Sequence, residues 1–229
     1  RHLPFVTIDP KTAKDFDDAV CLIEEEGKRT LWVAIADVAH YIEPETLLDE
    51  EAKARATSVY LPHAVLPMLP SRLSDNLCSL RAKVPRLAMT VSMEIENDCT
   101  IGNVAAFESI IEVQENLSYE DALDNPKFQN MMDLAEELRR NEIRLNLNSA
   151  ELRPRVHEDE ITVNVKWPNK ATEMIETFMV ATNNSIGILL GEKNAPLPWR
   201  CHAPPDAPEV EELNAKFKNM GINIELPMP

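Results

Sequence analysis

Four aspartates, Asp9, Asp15, Asp17 and Asp18, crowd into ten residues near the start of the 229-residue chain. Carboxylates brought this close repel and raise one another's pKa, unless a cation between them stabilises their ionised forms. No His or Cys lies among them. Hard oxygen donors of this kind suit magnesium or manganese, and a pair of such ions is the usual device for cleaving phosphodiesters. A solvated acidic turn accounts for the same residues, because Asp is a common turn and cap residue, and spacing alone leaves both readings open. An EF-hand is excluded. Counted from Asp15, position 5 is Ala19 and position 6, which must be Gly, is Val20.

The neighbouring residues say what must hold the acids. Residues 5–8 read as a short buried strand, Pro10 and the small polar residues after it as a loop, and residues 20–23 as the start of a second apolar run. A backbone extended through residues 15–18 would point Asp15 and Asp17 one way and Asp18 the other. Residues 19–25, a turn at 26–29 and residues 30–37 predict a β-hairpin, with 31–36 as a central strand buried on both faces. Asp37 and His40 make either a structural pair or a relay. Thr46 and Asp49 predict a capping box that opens a helix through about residue 58. Pro62, Pro67 and Pro70 preclude regular structure over residues 59–70. That stretch is either plain packing or a mount holding Tyr60 as a stacking platform for a base.

Further on, residues 71–82 predict a short helix, and 86–96 a half-exposed strand whose hairpin partner is 101–113. Helices are expected from Ser118, near 126–145, over 171–190, and after Asp206. The last buries Val210, Leu213, Phe217 and Met220 and stops at Gly221. Residues 161–167 and 222–226 alternate as strands do. No linker or repeat stands out, so one α+β domain is expected over residues 1–229, with a mixed, largely antiparallel sheet flanked by helices.

Composition narrows the class. Hydrophobic content of 44% supports a globular core. No apolar run of about 18 residues or signal-peptide core occurs, so no membrane partner is expected. Cys21, Cys78, Cys99 and Cys201 form no CxxC pair and read as reduced thiols of a cytoplasmic protein. A formal charge of −16 argues against a basic nucleic-acid-binding face on this chain and against tight RNA binding by it alone. It does not exclude a nucleic-acid substrate, because bound metal would reverse the sign at the acidic cluster.

The run Thr7-Ile8-Asp9-Pro10, continued by Ala13-Lys14-Asp15-Phe16-Asp17-Asp18-Ala19, resembles the catalytic signature of the ribonuclease II/ribonuclease R (RNB domain) family. The likeness continues in order through residues 33–42, Tyr60-Leu61-Pro62, Pro67-Met68-Leu69-Pro70, Leu73-Ser74, Cys78-Ser79-Leu80, Leu117-Ser118-Tyr119-Glu120 and residues 174–179, so it covers nearly the whole chain. It implies a metal-dependent 3′→5′ exoribonuclease that degrades single-stranded RNA to nucleoside 5′-monophosphates, by in-line attack of water on the terminal phosphodiester. By that resemblance Asp9, Asp15, Asp17 and Asp18 hold magnesium, or manganese in its place, with Asp15 and Asp17 counted as catalytic. Tyr60 stacks near the 3′-terminal nucleotide, and Glu176 helps to fix the RNA end.

Three departures from the family pattern stand out. Pro10 replaces a common Gly, and Thr177 replaces a commonly acidic residue beside Glu176. The family's Thr-Ser-Pro-Ile-Arg-Arg-Tyr-like motif, which supplies an Arg to the transition state, does not occur within the 229 residues. The resemblance therefore implies a partial RNB catalytic domain, with flanking OB-type RNA-binding domains expected in the full-length protein. A catalytically inactive RNA-binding or assembly module is the alternative, and an acidic protein-interaction domain a third.

Overall fold

The computed structural model describes residues 3–141, 149–157, 160–201 and 203–228. Strand β1, Val6–Asp9, delivers the first aspartate at its end. β2, Asp18–Glu25, and β3, Lys28–Ala36, form the expected hairpin. Its turn is tighter than predicted. Glu26 and Gly27 alone make it, both with positive φ (53° and 77°), the two-residue geometry that matches strand twist. Gly27 takes that conformation without steric cost.

Helix α1, Leu47–Arg55, is capped by Thr46, whose side chain accepts from the Asp49 N–H. It ends short of residue 58 because Ala56 turns left-handed, with φ 59°. Residues 59–70 correct the expectation of irregular chain. β4, Val59–Tyr60, and β5, Val65–Leu66, pair antiparallel, since the prolines at 62 and 67 fall outside both strands. Residues 73–77 form a π-type turn that lays Leu73 and Leu80 against the sheet.

β6, Pro85–Ile95, and β7, Ile101–Glu112, form the second hairpin. β6 is more enclosed than a half-exposed strand. Ala88 and Thr90 on its supposedly open face are buried, and the Thr90 and Ser109 hydroxyls meet at 2.6 Å. β8, Glu115–Ser118, was not anticipated, and it leads through a Ser118/Asp121 capping box into α2, Tyr119–Leu123. Of the helix expected near 126–145, α3 occupies Gln129–Arg140 after a short 3-10 turn, and residues 142–148 lie outside the described residues. A separate hairpin, β9 (Glu151–His157) with β10 (Glu160–Lys166), precedes the long helix α4, Lys170–Glu192.

The six-stranded sheet runs β7-β6-β3-β2-β1-β8. Only β1 and β8 pair in parallel, so the sheet is mixed and largely antiparallel, and the α+β expectation stands. The central strand β3 is covered on both faces over residues 31–34, whereas Ile35 is exposed. Leu31 and Val33 pack with Met174 and Phe178 of α4 and Leu134 of α3, while Ala34 packs on the other face with Phe5, Leu80 and Val113. Arg29 ties the far end of β3 to α3 through Glu137 at 2.6 Å, and Arg139 ties α3 to α4 through Glu173 at 2.9 Å.

Contacts divide the chain into two compact units, residues 1–189 and 190–229. In the second, Asp206 and Glu209 form a capping box that opens α5, Ala207–Asn219. The expected buried face of α5 shrinks to Val210 and a half-buried Phe217, with Leu213 and Met220 exposed. Residues 222–226 form no strand. Instead the Asn214 side chain holds both the N–H and the carbonyl of Leu226. No helix among the described residues is long and apolar enough to cross a membrane.

Candidate metal centre

Asp9 and Asp18 stand at neighbouring ends of β1 and β2, strands that meet in one registered pair, Val6↔Val20, and are not laddered where the acids sit. Asp17 ends the loop between them. One carboxylate oxygen from each of Asp9, Asp17 and Asp18 falls within 4.8 Å of the others. This corrects the alternation expected for residues 15–18. The chain is irregular until β2 begins at Asp18, so Asp17 turns toward the same point as Asp18 rather than away from it.

Asp15 is exposed and does not belong to that converging trio among the described residues. One of its oxygens instead accepts a long hydrogen bond, 3.5 Å, from the Tyr60 hydroxyl. The β4–β5 hairpin thus brings Tyr60 to the edge of the acidic loop, with its ring 68% exposed. Glu176 lies on the exposed side of α4, between the buried Ile175 and Thr177. Asp37 and His40 make no relay. The carboxylate accepts from the His40 backbone N–H at 3.1 Å, and the imidazole meets the Tyr41 ring edge-on.

The loop carrying the acids is braced from a distance. The Ser79 hydroxyl donates to the Lys14 carbonyl at 2.8 Å and accepts from the Phe16 N–H at 3.1 Å. The Leu80 N–H donates to the Phe16 carbonyl at 2.7 Å, and the Ala36 N–H to the Asp17 carbonyl at 2.9 Å. On the β1 side, the Asn116 amide donates to the Thr7 hydroxyl at 2.8 Å and to the Leu80 carbonyl at 3.0 Å. Sequence reasoning missed Ser79 and Asn116. The available signal was a small polar residue inside an apolar Cys-Ser-Leu run, which a buried brace explains better than a surface does. Ser79→Ala leaves two backbone groups of the loop unpartnered, so it is expected to lower stability by about 1–2 kcal/mol. Thermal melting measures this, and faster amide exchange at Phe16 locates it.

Electrostatics show how poorly the three acids tolerate one another alone. Burial first, and then the charges of Asp18 and Asp17, push the Asp9 carboxyl from 3.8 to about 7. Burial and then Asp17 raise Asp18 to about 6, and burial also raises Asp17. Oδ2 of Asp9 is buried with no hydrogen-bond partner. Three convergent carboxylates, one of which carries a buried oxygen without a hydrogen-bond partner, with no His or Cys among them, fit a hard divalent cation. Asp9, Asp17 and Asp18 are the residues that would hold it.

Three acidic side chains at the neighbouring ends of two strands, with an exposed tyrosine hairpin reaching the edge of the acidic loop, mark an α+β domain with a candidate divalent-metal site. The model of the RNB domain matches residues 1–227, and the chain belongs to that family. It is 34% identical to Ribonuclease R of Chlamydia muridarum over 240 residues, covering 98% of this chain and 35% of that protein. Its fold superposes, at a TM-score of 0.90 and 30% identity, on Mycoplasma genitalium RNase R in complex with ribose-methylated single-stranded RNA, covering 96% of this chain and 37% of that one. Yeast Ssd1, a pseudonuclease, shares the fold alone, at a TM-score of 0.77 and 17% identity over 98% of this chain and 30% of that one. The chain thus spans about a third of the length of the relatives it matches.

Proposed function

We propose that this chain is the metal-holding part of a 3′→5′ exoribonuclease that hydrolyses single-stranded RNA to nucleoside 5′-monophosphates in RNA degradation, with magnesium as cofactor and manganese able to replace it. The convergence of Asp9, Asp17 and Asp18, with one Asp9 oxygen buried and unpartnered, in a chain of the RNB family, carries this reading. Bound divalent metal would activate water and stabilise the charge that develops on the phosphate and the leaving oxygen.

The chain's own residues do the rest. The three aspartates anchor the cation. Asp15, held against Tyr60, extends the negative edge toward the incoming strand and keeps the hydroxyl end of the ring in place. The exposed Tyr60 ring offers its face to the terminal base, a contact that any base can make. Glu176 is proposed to fix the RNA end. Flanking OB-type domains in the full-length protein would supply the backbone attraction that a chain of charge −16 lacks.

Single-stranded RNA labelled at its 5′ end, incubated with the full-length protein and magnesium, tests the activity. A ladder shortening from the 3′ end is expected. Intact RNA, despite metal-dependent thermal stabilisation, would favour the inactive RNA-binding module. Tyr60→Ala removes one stacking face and is expected to weaken single-stranded RNA binding by about 1–3 kcal/mol. Fluorescence anisotropy with a labelled oligonucleotide measures it, and Tyr60→Phe should retain most of the affinity.

A further inference from the structure

β7 ends the six-stranded sheet, and among the described residues no strand pairs with its outer edge. At 12 residues it is long for an edge strand. Edge strands are normally protected by lysine, proline or a bulge. Residues 101–112 contain no Lys, Arg or Pro, and the bulge of this strand pair, which sets Asn103 and Val104 of β7 against Met93 of β6, lies before 105–112 and leaves those residues in regular register.

Each face of the strand end exposes one large apolar side chain. Phe107 is 42% and Ile110 72% exposed, on opposite sides. Behind Phe107 the sheet face forms a cleft of about 510 Å³ floored by Ile23, Trp32 and Thr90. Trp32 meets Phe107 edge-to-face at 6.3 Å. The edge carries Glu108 and Glu112, and the cleft rim adds Glu26 against one cation, Lys28. A second copy of a chain of charge −16 would set like charges together along this edge, whereas a basic strand would neutralise them.

We propose that the β7 edge is a docking site for an extended basic segment of a partner polypeptide, which adds as a seventh strand. Its main chain pairs with residues 105–112, an apolar side chain enters the Trp32–Phe107 cleft, and its Lys or Arg residues meet Glu108 and Glu112. Main-chain pairing supplies affinity, and the cleft and the carboxylates supply selectivity.

The probe is a fluorescein-labelled octapeptide of alternating Val and Lys, titrated by anisotropy in saturating magnesium so that the Asp9–Asp18 cluster is screened. Saturable binding is expected, with amide-exchange protection at residues 105–112. Analogues N-methylated at every second residue, made in both registers, keep the charge but cannot pair on one edge. One register is expected to bind at least about tenfold more weakly. Glu108→Lys/Glu112→Lys, both on the surface, should cause a comparable loss without lowering the melting temperature. Equal binding by both N-methylated registers would overturn the proposal, as would loss of binding in Asp17→Asn but not in the β7 variant. Sedimentation showing a dimer through β7 that excludes the peptide would assign the edge to a second copy and overturn it as well.

Discussion

Asp17→Asn is expected to reduce RNA shortening by about 10³-fold or more while leaving the fold intact, a loss of roughly 4 kcal/mol of transition-state stabilisation. The substitution keeps the shape of the side chain and removes its charge. The backbone at this position is held independently, by the Ala36 N–H on the Asp17 carbonyl, so the loop keeps its course. What disappears is the negative charge on one of three carboxylates whose oxygens converge within 4.8 Å. Asp17 is raised by burial and by Asp15, so the neutral variant should melt at or slightly above the wild-type temperature in EDTA. Single-turnover rates on 5′-labelled RNA, set beside melting temperatures with and without magnesium, check both halves. An unchanged ladder in the variant would refute the assigned role.

The second large effect is on stability, and it has the opposite sign for the apoprotein. Asp9 ionises at about 7 in the folded chain and near 3.8 when unfolded, a gap worth roughly 4 kcal/mol. Between those values the native state binds more protons than the unfolded state. Stability without metal therefore falls as pH rises from about 4 to 7, and Asp18 adds to the fall between about 4 and 6. Below the unfolded value both states are protonated and the penalty vanishes.

Asp9→Asn removes that penalty, so in EDTA the variant should melt above the wild type at pH 8 and converge with it at pH 4. Magnesium should close most of that gap at pH 8. Cation at about 100 times its dissociation constant stabilises a competent site by about 2.7 kcal/mol, and Asp9→Asn gives up that gain. Melting curves at pH 4, 6 and 8, in EDTA and in magnesium, read out the narrowing. Wild-type stability in EDTA that rose from pH 4 to pH 7 would contradict the buried, crowded carboxylate on which this rests.

The features legible in the residues are those whose causes lie within a few positions. Thr46, Ser118 and Asp206 open helices because a side-chain oxygen meets an N–H three residues on. Gly27 permits the turn between β2 and β3, and alternation marked β6. The acidic cluster and Tyr60 were singled out by residue type and motif, but the β4–β5 hairpin that brings Tyr60 beside Asp15 was not.

Burial and convergence were not legible, because they depend on partners far away in the chain. No local pattern announces that Ser79 braces a loop more than 60 residues earlier, or that β8 pairs in parallel with β1. The face of α5 reads as apolar enough to bury, yet only Val210 is buried and Phe217 half-buried, while Leu213 and Met220 are exposed. The same holds at the centre of the molecule. Charge and spacing dictate four acids in a loop after a strand, since these are properties of the residues themselves. Only the packed sheet, which stops pairing between β1 and β2 and pins Phe16 and Asp17 from Leu80 and Ala36, decides that Asp9, Asp17 and Asp18 share one point while Asp15 turns to Tyr60.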